Sequence, residues 1–304
     1  MIPWSVQIEL HSGCTRRCHQ CGIWSLPKEL ENKSMSIELA DSISKELNSW
    51  IPKGRRIEFA LQGEPLLNPN AKEIIKTFRT NYSRSQLLIS TNGDPLIHNG
   101  IVDIDYIKTL FNNGLNYLLW NNYDKDLSWF KDKFEFTPFE EFNVYQYRGN
   151  KDHKIVVMDN HSEEAWKNRR RFLNNQAGFV KPEYAKELGI PIITEPLKKR
   201  CSNVARELVI KADGSVPACC MMWKPDLIVG KFPEQSLEQI WNSQKFQYIR
   251  QLLYNKNRIL SPCNKCSYSG FKCGLLKDPG IKKSVTELVD YVISEHPYQT
   301  QLRF

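Results

Sequence analysis

Cys14, Cys18 and Cys21 stand in the run C-T-R-R-C-H-Q-C, directly after the alternating apolar segment Val6-Gln7-Ile8-Glu9-Leu10. Three thiolates in so short a loop suit metal ligation. They can hold three irons of a [4Fe-4S] cube and leave the fourth iron open to a small molecule, which a cluster needs if it is to do chemistry as well as pass electrons. The competing reading is a structural zinc site. Zinc takes four ligands, commonly from paired C-x2-4-C spacings, so it would have to recruit His11 or His19 beside the triplet.

The other six cysteines lie in the second half, at Cys201, Cys219, Cys220, Cys263, Cys266 and Cys273. Their clustering, and a start Met1-Ile2-Pro3-Trp4 without a charged-then-apolar targeting pattern, point to metal ligation in a reducing, cytoplasmic compartment rather than to disulfides. No stretch approaches the roughly 18 consecutive apolar residues of a spanning helix, so no membrane partner is expected. With 304 residues, 41% hydrophobic and 25% charged, the chain can bury one sizeable core and a smaller domain.

A repeated strand and helix pattern must position the first triplet. Short runs rich in aliphatic or aromatic residues predict strands at Val6–Leu10, Arg56–Leu61, Gln86–Ser90, Asn116–Trp120, Phe142–Tyr147 and Lys154–Met158. Helices fill the gaps: Ile37, Ala40, Ile43 and Leu47 keep helical spacing within 36–49, and similar patterns run over 71–78, 104–111 and 163–173. Six such repeats predict an α/β fold, a parallel sheet curled into a partial (β/α)6 TIM-like barrel. Ligand sites in such sheets lie at the carboxyl ends of strands. There the second strand is followed by Gln62-Gly63-Glu64-Pro65-Leu66, the third ends in Ser90-Thr91-Asn92-Gly93, and Asn121 follows the fourth. Each segment alone is also an ordinary turn.

Taken in order, the triplet, the Gly63-Glu64-Pro65 loop and the Thr91-Asn92-Gly93 ending resemble the radical S-adenosylmethionine (SAM) superfamily over residues 1 to about 125. The resemblance implies that Cys14, Cys18 and Cys21 hold a [4Fe-4S] cluster whose open iron is chelated by the amino and carboxylate groups of SAM. It implies that Gly63, Glu64 and Pro65 receive the SAM ammonium, for which a carboxylate is a strong charge-assisted acceptor. Ser90, Thr91, Asn92 and Asn121 would meet its carboxylate or ribose. Two positions depart from the pattern: Gln62 replaces the first glycine of a G-G-E-P segment, and Gln20 replaces an aromatic residue that packs near adenine, with Trp24 a nearby substitute.

Further on, Leu208 to Val216 with its Asp213-Gly214 turn reads as a β-hairpin that brings Cys201 and Cys219 together. A helix capped by Ser236 follows through Leu253, and Pro262 returns the chain to Cys263. This small β-hairpin plus helix and the Cys263, Cys266 pair are similar to the auxiliary-cluster domains called SPASM and Twitch. With too few cysteines for two extra clusters, the resemblance favours one auxiliary [4Fe-4S] cluster on Cys201, Cys219, Cys263 and Cys266. Cys220 and Cys273 are left over; replacement of one ligand by Cys273, and zinc on the four-cysteine set, both stay open. Asn174-Asn175-Gln176-Ala177-Gly178 resembles an N-R-A-G segment preceding this domain in some relatives, with glutamine for arginine. The expected division is a radical SAM core at 1–185, the auxiliary-cluster domain at 186–280 and a C-terminal helical extension at 281–304.

The implied activity is reductive cleavage of SAM to methionine and a 5′-deoxyadenosyl radical that abstracts a substrate hydrogen. A small polar metabolite oxidised by two electrons is the favoured substrate, with a reductant such as flavodoxin or ferredoxin; a peptide or a nucleic acid is the alternative. The chain begins almost at its first strand, which argues against a leader-peptide recognition domain. Its formal charge of +8 falls to about +5 once seven cysteines count as thiolates and two clusters as roughly +2 each. The runs Arg169-Arg170-Arg171 and Lys198-Lys199-Arg200 read as solvated faces rather than a nucleic-acid stripe. Tyr145, Tyr147, Arg148 and Asn160 are candidate polar contacts to substrate.

Overall fold

The computed structural model describes residues 2–18, 20–123, 154–159, 173–183 and 192–268. His19, the run Phe142–Tyr147, the helix expected over 163–173 up to residue 172, the contacts Tyr145, Tyr147, Arg148 and Asn160, Cys273 and the extension 281–304 lie outside the described residues. A six-stranded sheet forms the frame, built from β1 (Ser5–Ile8), β2 (Arg56–Phe59), β3 (Gln86–Thr91), β4 (Tyr117–Asn122), β5 (Lys154–Asp159) and β6 (Glu207–Ile210). Its order is β6-β1-β2-β3-β4-β5 and every neighbouring pair is parallel. All the carboxyl ends therefore share one edge.

Helices cover the sheet because their apolar residues fall on one stripe. α1 (Ile37–Trp50) starts where the Ser36 hydroxyl accepts the Leu39 N–H, and it buries Ala40, Ile43 and Leu47. α2 (Ala71–Asn81) buries Ile74, Ile75 and Phe78, with Phe78 meeting Phe59 of β2 edge-on at 5.2 Å between ring centroids. Asp103 caps α3 (Ile104–Asn112), which buries Ile107, Leu110 and Phe111. These helices match the predicted spans to within a residue or a few.

The strand arrangement corrects the hairpin expected over 208–216. Glu207–Ile210 pairs in parallel with β1, Ser5 facing Glu207 and Ile8 facing Ile210. Leu208, Val209 and Ile210 are all buried, the continuous apolar run that a strand covered on both faces requires. A tight turn follows, in which the Gly214 N–H donates to the Lys211 carbonyl at 2.9 Å and Gly214 adopts φ +82°. A hairpin does form one strand later, between β7 (Ser215–Pro217) and β8 (Ile228–Lys231), antiparallel. The single long helix expected after Ser236 is also two: α4 (Leu237–Trp241) and α5 (Gln244–Tyr254), because Ser243 caps a new start by accepting the Phe246 N–H. Arg250 of α5 lies 4.0 Å from the Trp241 ring and 3.9 Å from that of Phe246, and its Nε donates to the Val204 carbonyl at 2.9 Å.

Candidate active site

The loop after β1 carries the half-buried Cys14, Cys18 and Cys21. The Cys14 sulfur accepts the Arg16 N–H at 3.4 Å and the Asn92 side-chain amide at 3.3 Å. The Tyr123 hydroxyl, at the end of β4, hydrogen-bonds Cys18. Arg16 grips the Asp94 carboxylate through Nε at 2.9 and 3.0 Å and through a second guanidinium nitrogen, and Thr15 donates to the same carboxylate at 2.7 Å. Burial pushes all three thiols up, Cys21 to about 12, and the other two cysteines raise it further. Left as thiols they stay protonated; a bound metal reverses this by stabilising the thiolates.

Glu64 is the hub of the neighbouring loop. Its carboxylate accepts the Thr91 hydroxyl at 2.7 Å, the Asn92 N–H at 2.7 Å and the Leu66 N–H at 3.1 Å, while its own N–H donates to the Gly13 carbonyl at 2.7 Å. Burial raises its pKa to about 7 against these donors, which lower it. Pro65 opens a one-turn helix below it. Gly63 has no room for a side chain, since a Cβ there would stand 2.1 Å from the His11 carbonyl oxygen. The Asn121 amide donates to the Ser90 hydroxyl at 3.1 Å and to the Thr91 carbonyl at 3.2 Å. Thus Cys14, Gly63, Glu64, Pro65, Ser90, Thr91, Asn92 and Asn121, drawn from four strand ends, form one connected wall, and Cys18 and Cys21 share the loop of Cys14. Trp24 is half exposed and donates to the Cys18 carbonyl at 3.3 Å.

Elsewhere a cavity of about 330 Å³, counted together with its opening to solvent, is lined by Cys201, Cys219, Cys263 and Cys266, all buried. Cys220 is buried too and does not line this cavity, although the Asn203 side-chain amide donates to both neighbouring sulfurs, Cys219 at 3.2 Å and Cys220 at 3.4 Å. Apolar neighbours such as Met221, Leu253 and Tyr268 keep water away, and Arg258 is the charged residue in the lining. Burial drives the Cys201, Cys263 and Cys266 thiols up, to about 12 for Cys263 and about 11 for Cys266, and the Arg258 guanidinium opposes it at all three. Arg258 donates to the Cys266, Lys199 and Tyr268 carbonyls while its buried Nε has no acceptor among the described residues.

Among the described residues no three His, Cys, Asp or Glu side chains converge on one point, as ligands at about 2.0–2.3 Å from one ion must. Thiolates that bind separate corners of an iron–sulfur cube stand further apart. His11 is instead tied to the Ser34 hydroxyl at 2.8 Å.

Comparison with known proteins bears on both sites. The SPASM model, an iron–sulfur cluster-binding domain, matches residues 201–267. Over 263 residues, 86% of this chain and 92% of the relative, the chain is 26% identical to an S-adenosyl-L-methionine-dependent 2-deoxy-scyllo-inosamine dehydrogenase of Niallia circulans. The chain carries a SPASM-type iron–sulfur cluster-binding domain and is similar over most of its length to a SAM-dependent dehydrogenase. Its fold agrees: BtrN, solved in complex with AdoMet and 2-DOIA, superposes with a TM-score of 0.66 at 23% identity, covering 88% of this chain and 94% of that one. Streptococcus suis SuiB bound to precursor peptide SuiA is more distant, with a TM-score of 0.52 at 12% identity over 87% of this chain and 69% of that one. Radical SAM enzymes with this domain use SAM, a [4Fe-4S] cluster and an auxiliary cluster.

Several residues that meet the first cysteine loop were not assigned to it from the sequence. Asp94 and Tyr123 meet the cysteine loop from other strand ends, and Gln176 and Trp223 reach it from the second half of the chain. Asp94 had a local signal, an acid two residues past Asn92 at a strand end. Gln176 stood in the Asn174 to Gly178 segment noted above, in the place of an arginine, while Tyr123 and Trp223 had no such signal.

Proposed function

We propose that this enzyme oxidises a secondary alcohol of a small polar metabolite of the aminocyclitol class to a ketone, at the expense of one SAM. The supporting observation is the pairing of a half-buried three-cysteine loop with a cavity lined by four buried cysteines in a chain similar over 86% of its length to a SAM-dependent inosamine dehydrogenase. When bound, SAM and the first cluster supply a 5′-deoxyadenosyl radical, and the auxiliary cluster supplies an acceptor for one electron. The balance is alcohol plus SAM cation giving ketone, methionine, 5′-deoxyadenosine and one proton. The starting electron comes from a reductant of the flavodoxin or ferredoxin type in the cytoplasm.

Cys14, Cys18 and Cys21 would hold the first cluster and Cys201, Cys219, Cys263 and Cys266 the auxiliary one. Arg16 and Asp94 fix the first loop, Glu64 offers carboxylate lone pairs to the SAM ammonium, and Asn121 orients Ser90 and the Thr91 carbonyl at the adjoining strand ends. The apolar lining around the four cysteines excludes water, so an electron placed there is not lost to side reactions.

Anaerobic turnover with aminocyclitols deuterated at each carbinol position tests the reading. Deuterium is expected in 5′-deoxyadenosine, one per ketone formed, from one position only. If aminocyclitols neither accelerate SAM cleavage nor pass label while a peptide or an oligonucleotide does, the substrate class is wrong.

A further inference from the structure

We propose that Gln176 is a positioning residue that makes the Cys21 end of the first cysteine loop depend on the auxiliary site. Both ends of its side-chain amide are spent on that loop. Oε1 accepts the Gly22 N–H at 2.8 Å and Nε2 donates to the Gln20 carbonyl at 2.9 Å, so the amide spans the backbone on either side of Cys21. On its other side the same segment belongs to the auxiliary cavity. Ala177 is buried against Cys266 and Tyr268, lines that cavity, and gives its N–H to the Cys266 sulfur.

Gln176 and Ala177 both take left-handed backbone conformations, φ +44° and +62°, which residues with a Cβ adopt only when their surroundings hold them. Asn175 supplies that hold. Its N–H donates to the Ser267 hydroxyl at 2.7 Å, its side-chain oxygen accepts the Ser267 N–H at 2.9 Å, and its side-chain amide donates to the Lys265 carbonyl at 2.7 Å. The strained pair is thus clamped to the Cys263 to Cys266 loop, and from there it reaches Cys21. A second contact points the same way: Trp223, four residues past Cys219, lies so close over Gly22 that a Cβ there would come within 2.3 Å of the indole. Filling the auxiliary site fixes Lys265, Cys266 and Ser267, and through Asn175 and Gln176 it fixes the turn that presents Cys21.

This inference rests on reading the two cysteine sets as cluster ligands; wild-type iron content and SAM cleavage without substrate report on that reading separately. The test compares wild type, Gln176→Ala and the volume-conserving Gln176→Glu, each reconstituted anaerobically, by the rate at which a chelator removes iron from the first site and by the EPR change on adding SAM. Both variants are expected to keep auxiliary iron but to lose iron from the first site about tenfold faster, the loss of one to two ordinary hydrogen bonds. In a Cys263→Ser background the wild-type Gln176 should lose most of its advantage over alanine. Equal release rates and unchanged SAM-dependent spectra in both variants overturn the proposal, and so does full additivity with Cys263→Ser. Loss of all iron from both variants, with far-ultraviolet circular dichroism unlike wild type, would assign Gln176 to folding and also overturn it.

Discussion

Glu64 carries opposing demands within a single side chain. Three donors favour its ionised form, but burial outweighs them and leaves its pKa near 7. Because that value is raised from 4.5, the native protein holds a proton that the unfolded chain releases between about pH 4.5 and 7, so this group's contribution to stability falls as pH rises through that window. An arriving ammonium ion reverses the preference by pairing with the carboxylate. SAM affinity should therefore fall roughly tenfold per pH unit below about 7, and Glu64→Gln should bind SAM at least tenfold more weakly with a flat profile. Anaerobic equilibrium dialysis between pH 5.5 and 8 measures both. Glu64 was legible in the sequence as an acid between Gly63 and Pro65 after a strand. Its partners Thr91 and Asn92 were legible too, as a strand ending, but their joining to it was not.

Elements were easiest to read where periodicity and caps agree. Ser36 and Asp103 precede apolar stripes at helical spacing, and α1 and α3 begin there. Ser243 carried the same signal within a continuing apolar pattern, and pattern alone hid the break between α4 and α5. Partnership between distant elements left no such trace. Gln176 finds its donor and acceptor 154 and 156 residues away, and nothing in local composition marks that. The contact between the Gly63 loop and the cysteine loop is of the same kind, held by one bond from the Glu64 N–H to the Gly13 carbonyl and by the absence of a Cβ. Gly63→Ala should push these two loops apart without touching the auxiliary cavity. Iron counts are expected to fall by about half while the spectrum of the remaining cluster stays that of the wild-type auxiliary site, with SAM binding abolished.

At the scale of the molecule, the sheet does not respect a boundary near residue 185. β6 comes from the segment expected to form a separate auxiliary domain, yet it pairs along the whole of β1 and supplies the buried Leu208, Val209 and Ile210. Buried Lys211, just beyond it, donates to the Gln62 side chain at 2.8 Å, and Gln62 donates in turn to the Cys220 carbonyl at 3.2 Å, so the second strand and the auxiliary loop share a polar joint. A chain ending at residue 200 would leave β1 as an unpaired apolar edge, the kind of strand that recruits other chains. Such a truncation is expected to be insoluble or aggregated. A soluble, SAM-cleaving fragment, seen by size-exclusion chromatography and product analysis, would contradict this. The pairing of Ser5 with Glu207 also has a temporal side, because 202 residues separate the two. At the roughly 5–20 residues per second of protein synthesis, β1 waits about 10–40 s on the ribosome before its outer neighbour exists. The first cysteine loop leaves the ribosome long before its frame can close, so iron delivery that follows release of the chain meets both sites together.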